Sequence, residues 1–174
     1  MKNALAHYHS MNGFLPEKIV LYRDGVSDGG IETFKQNEIT AMRNAFNLEG
    51  TNISFPELKG GPYQPEFTCV IVSKRINTRM YAKKGKLLDN PMPGTILDTG
   101  VTKGFYKDFY LVSQYVRQGT VTPTHFIVLD GDEKGKGMPA DVVQKLSYKL
   151  TAMDKFRLII ERFFIRKFKF FEFY

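Results

Sequence analysis

The sequence predicts an α/β fold with a central mixed sheet flanked by helices, on three observations. Ile19-Val20-Leu21-Tyr22 is a continuous apolar run with two β-branched residues, as expected of a strand buried on both faces. A glycine-containing turn follows, and apolar side chains then return at near-helical spacing from Ile31 to Phe46, so strand, turn and helix make half of a βαβ unit. Further strand-like runs at 67–73, 109–113 and 122–130 are separated by loops rich in glycine and proline.

In chain order, residues 1–15 read as a short helix leading to Gly13. His7 and His9 stand two apart there, but no Cys, Asp or third His is near, and a metal site needs three or four ligands. The run at 18–22 ends on Arg23-Asp24-Gly25. A carboxylate at the C-terminal end of a buried strand, followed by a glycine that lets the chain turn, sits where open α/β sheets place ligands. The same residues also suit a plain surface turn with a capping Asp. Glu32, Lys35, Gln36 and Arg43 make the polar face of this helix, with Ile31, Phe34, Ile39, Met42, Ala45 and Phe46 on the other.

Residues 56–65 form a loop, and 67–73 a second buried strand. The exit from that strand is the most basic part of the chain: Lys74, Arg75, Arg79, Lys83, Lys84 and Lys86, with no acidic residue between Phe67 and Leu88. Such a run is a solvated loop or a phosphate-binding surface. The second reading gains weight if the strand runs parallel to the first and exits beside Asp24. A short strand at 95–98 precedes Asp98-Thr99-Gly100, which occurs once and so does not make an aspartic-protease dyad. His125 stands in a fourth strand-like run, where a lone histidine is more often a satisfied core residue than a ligand, although the small polar residues before it suggest exposure near a strand start or a loop. A helix starts at Pro139, with Val142, Val143, Leu146, Leu150 and Met153 on its apolar face.

From Asp154 the composition changes: the last 21 residues hold seven of the 15 phenylalanines and six basic side chains, with neither a strand nor a helix period. Residues 1–153 therefore read as one domain and 154–174 as a divergent tail: a membrane-surface segment, a strand or, the favoured reading, sequence never selected to fold, expected to be poorly packed or packed unlike the rest. No apolar run approaches the ~18 residues of a membrane span. Cys69 is the only cysteine, which excludes an internal disulfide and suits a reducing, intracellular (cytoplasmic or nuclear) setting. A formal charge of +7 favours an anionic partner such as nucleic acid.

Three motifs in fixed order, Tyr22-Arg23-Asp24-Gly25-Val26-Ser27-Asp28-Gly29, Ser73-Lys74-Arg75-Ile76-Asn77-Thr78-Arg79 and Gln118-Gly119-Thr120-Val121-Thr122-Pro123-Thr124-His125-Phe126, closely resemble the PIWI domain of the Argonaute/Piwi family, on its Piwi-like branch. Asp98-Thr99-Gly100-Val101 and Asp108-Phe109-Tyr110-Leu111-Val112-Ser113-Gln114 fit the same pattern. The resemblance runs from about Leu15 to Met153. It implies an RNase H-like fold that holds a small guide RNA and, in competent members, cuts the paired target RNA with Mg²⁺ or Mn²⁺.

By the resemblance, Asp24 matches the second aspartate of the family's cutting site and His125 its last member, both as catalytic residues and metal ligands. Lys74, Arg75 and Arg79 become contacts to the guide backbone. The family's first aspartate and its glutamate precede the matching region, so the chain reads as a partial PIWI domain that binds RNA for silencing and does not cleave alone. The alternatives are a guide-independent RNase H-like metal nuclease and a basic protein that associates with membrane surfaces through its tail.

Overall fold

The computed structural model describes residues 1–48, 62–130, 137–151 and 164–165. Helix α1 (Lys2–Asn12) ends at Gly13, whose φ of 74° is the left-handed conformation that closes helices, with its N–H donating to His9 O at 2.7 Å. Strand β1 (Lys18–Asp24) follows. A 3₁₀ turn at Asp28–Gly30 leads into α2 (Ile31–Phe34), a π-helical turn (Lys35–Ile39) and α3 (Thr40–Asn44). The amphipathic helix expected from the apolar spacing is thus one helical segment with a wide turn in its middle.

Strands β2 (Glu66–Ser73), β6 (Lys107–Leu111) and β7 (Thr124–Asp130) form the sheet with β1, with β5 (Ile96–Leu97) on one margin. Between β2 and β5 a separate hairpin, β3 (Ala82–Lys84) and β4 (Leu87–Asp89), turns through Gly85. Helix α4 (Ala140–Thr151) follows β7, and β8 (Phe164–Ile165) pairs antiparallel with Ile19 and Val20. The sheet order is β5-β6-β7-β2-β1-β8, with β1 and β2 parallel and the other pairings antiparallel. Apart from β8, the tail lies outside the described residues, as do residues 49–61 and 131–136.

Alternation along the strands sorts the core into two layers. Ile19, Leu21, Cys69, Ile71, Ile127 and Leu129 pack on one face with Leu5 of α1, Ile31 and Phe34 of α2, and Ile39. Val20, Val70, Val72, Phe126 and Val128 pack on the other with Val143, Leu146 and Leu150 of α4. Polar ties fix α4 in place. The Tyr22 and Ser147 hydroxyls bond at 3.0 Å, and the buried Thr68 hydroxyl accepts the Met138 N–H at 2.8 Å. Burial pushes the Tyr22 phenol up to about 12, against the opposing effect of the Ser147 bond.

Cys69 lies in the middle of β2 with no exposed surface. Burial pushes its thiol up to about 12; the Glu38 charge adds to this and Arg23 opposes it. Because the thiolate is the reactive form, native protein at pH 8 should alkylate at Cys69 only through opening of the sheet. We expect labelling, followed by mass spectrometry, to be slow in buffer and to rise with the urea unfolding transition. Rapid stoichiometric labelling of folded protein would show that the strand is not central.

Candidate nucleic-acid interface

The parallel pairing of β1 with β2 sets Asp24 opposite Val72, and the antiparallel pairing of β2 with β7 sets Ser73 opposite His125. The C-terminal ends of β1 and β2 and the N-terminal end of β7 therefore share one edge of the sheet. The basic run leaves β2 at that same edge. A cleft of about 1120 Å³ opens there, with Asp24, Lys74, Arg75, Asn77, Lys103 and His125 among its walls. Asp24 and His125 are two strand spacings apart, about 10 Å along the sheet.

Each carboxylate near the cleft mouth has a cationic partner. Lys74 Nζ lies 2.8 Å from Asp24 Oδ2, and Lys103 Nζ lies 2.6 Å from Asp28 Oδ2. The Arg23 guanidinium reaches Glu38 with Nε at 3.1 Å and Nη2 at 3.4 Å, while Nη1 donates to Asp24 O at 2.6 Å. The Glu38 hydrogen bond is the main reason the Arg23 guanidinium sits above its ordinary value. Glu38 belongs to the π-helical turn; such turns are frequent at functional sites.

His125 is buried, not exposed as the small polar residues before it suggested. Two neighbours on β6 hold it there. Tyr110, its direct cross-strand partner, stacks on the imidazole at 4.3 Å between centroids and 12° between planes. Asp108 Oδ2 lies 2.7 Å from His125 Nε2, and the Lys103 backbone N–H donates to Asp108 Oδ1 and Oδ2 at 3.1 and 3.3 Å. The sequence reading missed Asp108. Its signal was an acid just before the apolar run that starts at Phe109, two residues before Tyr110 and so on the same face.

Of the expected RNA contacts, Lys74 and Arg75 line the cleft. Arg79 does not. Its Nη1 donates to the Ile76 and Thr78 carbonyls at 3.2 and 3.1 Å, and the side chain is exposed. The two other acids that could have completed a site lie elsewhere. Asp98 Oδ2 accepts the Gln144 amide of α4 at 3.0 Å, and Asp130 pairs with Thr68 at the opposite end of the strands from His125.

These donors do not fit a divalent metal pair. Among the described residues no three His, Cys, Asp or Glu side chains gather closely enough to hold an ion. Asp24 is bonded to an ammonium and His125 Nε2 to a carboxylate. A two-metal centre needs several convergent ligands.

A Piwi domain family model matches residues 1–157. The chain belongs to the Piwi domain family. It is 45% identical over 148 residues to the Piwi-like protein Ago3 of Bombyx mori, covering 85% of this chain and 15% of that protein. It is 43% identical over 147 residues to Protein argonaute-3 of Drosophila melanogaster, covering 84% of the chain and 15% of the relative. Among solved structures, the crystal structure of Drosophila Piwi superposes with a TM-score of 0.66 at 33% identity, over 85% of this chain and 18% of that one. Kluyveromyces polysporus Argonaute with a guide RNA gives 0.66 at 30% identity, over 84% and 18%. The chain thus spans about 15% of the length of these curated relatives. The mixed sheet of this Piwi domain is the RNase H-like fold that the resemblance implied. No helix among the described residues is long and apolar enough to cross a membrane.

The Asp24–Lys74 pair has side chains 30% and 47% exposed, so water screens it. Such pairs contribute about 0–1 kcal/mol. Asp24→Asn should therefore move the urea midpoint by no more than that range implies. A larger loss of stability would mean that Asp24 supports the fold, and effects of the substitution on RNA would then say little about chemistry.

Proposed function

We propose that this chain is an RNA-binding silencing module that holds the backbone of a small guide RNA of the piRNA kind across the cleft beside Asp24, and that it does not cut RNA by itself. The observation that carries the reading is the convergence of Lys74, Arg75 and Lys103 on the sheet edge where Asp24 and His125 lie. Cations there would position a phosphodiester chain, while base pairing between guide and target RNA carries the sequence information. The structural relative solved with a guide RNA supports the ligand class.

The pairing pattern refines which cations matter. Lys74 already neutralises Asp24, so its release to a phosphate leaves a carboxylate behind. Arg75 and Arg79 carry no such cost. RNA binding should accordingly be mainly electrostatic and uniform across sequences. Each true contact removed flattens the log–log salt dependence by about 0.7 for a single strand or about 0.9 for a duplex. Arg75→Ala should remove close to one such step, Lys74→Ala less, and Arg79→Ala, outside the cleft, least. Fluorescence anisotropy over a salt series measures this; three unchanged slopes would take these side chains off the contact surface.

Cleavage requires water, phosphate and leaving group held in line. Asp24 and His125 supply one carboxylate and one imidazole, and a single carboxylate cannot balance two divalent cations. Purified chain with guide RNA, a labelled complementary target and Mg²⁺ or Mn²⁺ should leave the target intact. Guide-dependent cutting that disappears in Asp24→Ala would overturn this half of the reading and favour a complete nuclease site.

A further inference from the structure

We propose that Phe105 is a stacking platform at the rim of the cleft, which takes an unpaired base of the RNA strand whose backbone the cleft holds. This contact rests on the RNA-binding reading above and extends it from the strand's backbone to a base. Phe105 stands in the segment between β5 and β6 and is 75% exposed, more than any other aromatic side chain among the described residues. Gly104, with φ of 72°, turns the chain just before it in a conformation that other residues rarely adopt.

The exposed ring has a fixed support. It meets the Tyr106 ring edge-on, with 4.9 Å between centroids and 63° between planes. Tyr106 packs against the core layer that holds Leu5, Ile31 and Phe34, and Lys35 Nζ stands 5.1 Å from the centre of its ring. Phe105 thus rests on an anchored neighbour while most of its own surface faces water. A ring held in this way loses little freedom when a ligand covers it.

Both supports of this pair lead into the cleft. Lys103, two residues before Phe105, is one of the cleft walls and pairs at 2.6 Å with Asp28, another wall. Lys35, over Tyr106, opens the π-helical turn whose Glu38 is a third wall. The aromatic pair therefore sits at the margin of the cleft, with one ammonium group on its own segment and one on the α2 side.

This chemistry selects the occupant. A protein partner that docks through apolar contacts needs a contiguous apolar patch. The segment around Phe105 offers instead one exposed ring between Lys103 and Lys107. Single-stranded nucleic acid is bound by that combination, because cations track its backbone while bases stack on aromatic rings. Every base has a face to stack, so the contact tolerates any sequence but requires a base freed from the duplex.

The chain contains no tryptophan, so Phe105→Trp keeps an aromatic platform and makes it the sole indole reporter. Two oligomers of one length are compared on the full chain: a single-stranded RNA and the same sugar-phosphate strand without bases. The RNA should quench the indole emission, and the abasic strand should not. In fluorescence anisotropy, Phe105→Ala should weaken RNA binding about 5- to 150-fold, the range of one lost base stack, and Phe105→Trp should restore it. Abasic binding and the salt slope should stay unchanged, because the ring carries no charge.

Equal RNA affinity of the native and Phe105→Ala chains would overturn the platform and leave the RNA-binding reading standing. So would quenching by the abasic strand, or a loss in Phe105→Ala that the abasic strand shares, since the ring would then only support its loop. A native chain that binds neither oligomer would remove the RNA-binding reading, and the platform with it. If Phe105→Ala fails to fold, the quenching of Phe105→Trp still decides.

Discussion

The parallel pairing of β1 with β2 is the constraint on which the rest depends. It sets Asp24 level with Val72 and so brings the end of β1 beside the point where Lys74 and Arg75 leave β2. Were the two strands antiparallel, the carboxylate and the basic run would lie at opposite edges of the sheet. A slip of one residue would also exchange faces, moving Leu21 and Cys69 from the α1–α3 side to the α4 side. Burial on both faces therefore specifies the register, and the register assembles the cleft. The antiparallel return of β7 completes it by delivering His125 opposite Ser73.

Charge at this edge is distributed in matched pairs rather than as a bare positive field. Arg23 with Glu38, Lys74 with Asp24 and Lys103 with Asp28 each bring one cation against one carboxylate. These pairs are partly solvated, so they hold side chains in place without deep cost to separate. A phosphate entering the cleft can compete with a carboxylate for an ammonium at modest expense. The net charge of +7 is consequently a poor guide to where an anion binds; location comes from which cations lack a close carboxylate.

Much of the fold was legible because its strands are apolar on both sides and its helices on one. The runs at 18–22, 67–73 and 122–130 became β1, β2 and β7 with shifts of a residue or two at their ends, and the spacing from Ile31 to Phe46 became α2 and α3. The π-helical turn was not legible, since a single wider turn barely disturbs the apolar spacing. The β3–β4 hairpin was hidden for the opposite reason: Lys83, Lys84, Leu87 and Leu88 are all exposed, so no buried face imposes a period. The small polar neighbours of His125 pointed the wrong way, because they signal exposure only when nothing packs over them; the core reading of a lone histidine on an apolar strand is the one that holds. Tyr110 packs over the ring, from a strand fifteen residues earlier in the chain. Asp108 was similarly invisible as a partner, because which acid meets which histidine is decided by strand pairing and not by spacing along one strand.

The two polar contacts flanking the cleft differ in the freedom that they allow. Asp24 and Lys74 meet at a solvated surface, where water replaces either partner when the other departs. Asp108 and His125 meet where almost no water reaches, and separating them would strand a carboxylate that has already given up its hydration. The first contact can therefore exchange during ligand binding, and the second cannot without opening the sheet. Their placement follows from the strands that carry them. Asp24 is the last residue of β1, beyond the packed layers, whereas Asp108 and His125 lie one position inside β6 and β7 with an aromatic ring over them. The cleft thus has a rigid wall and an adjustable rim. On the proposed RNA-binding reading, the rim can adapt to successive phosphates while the wall keeps its shape.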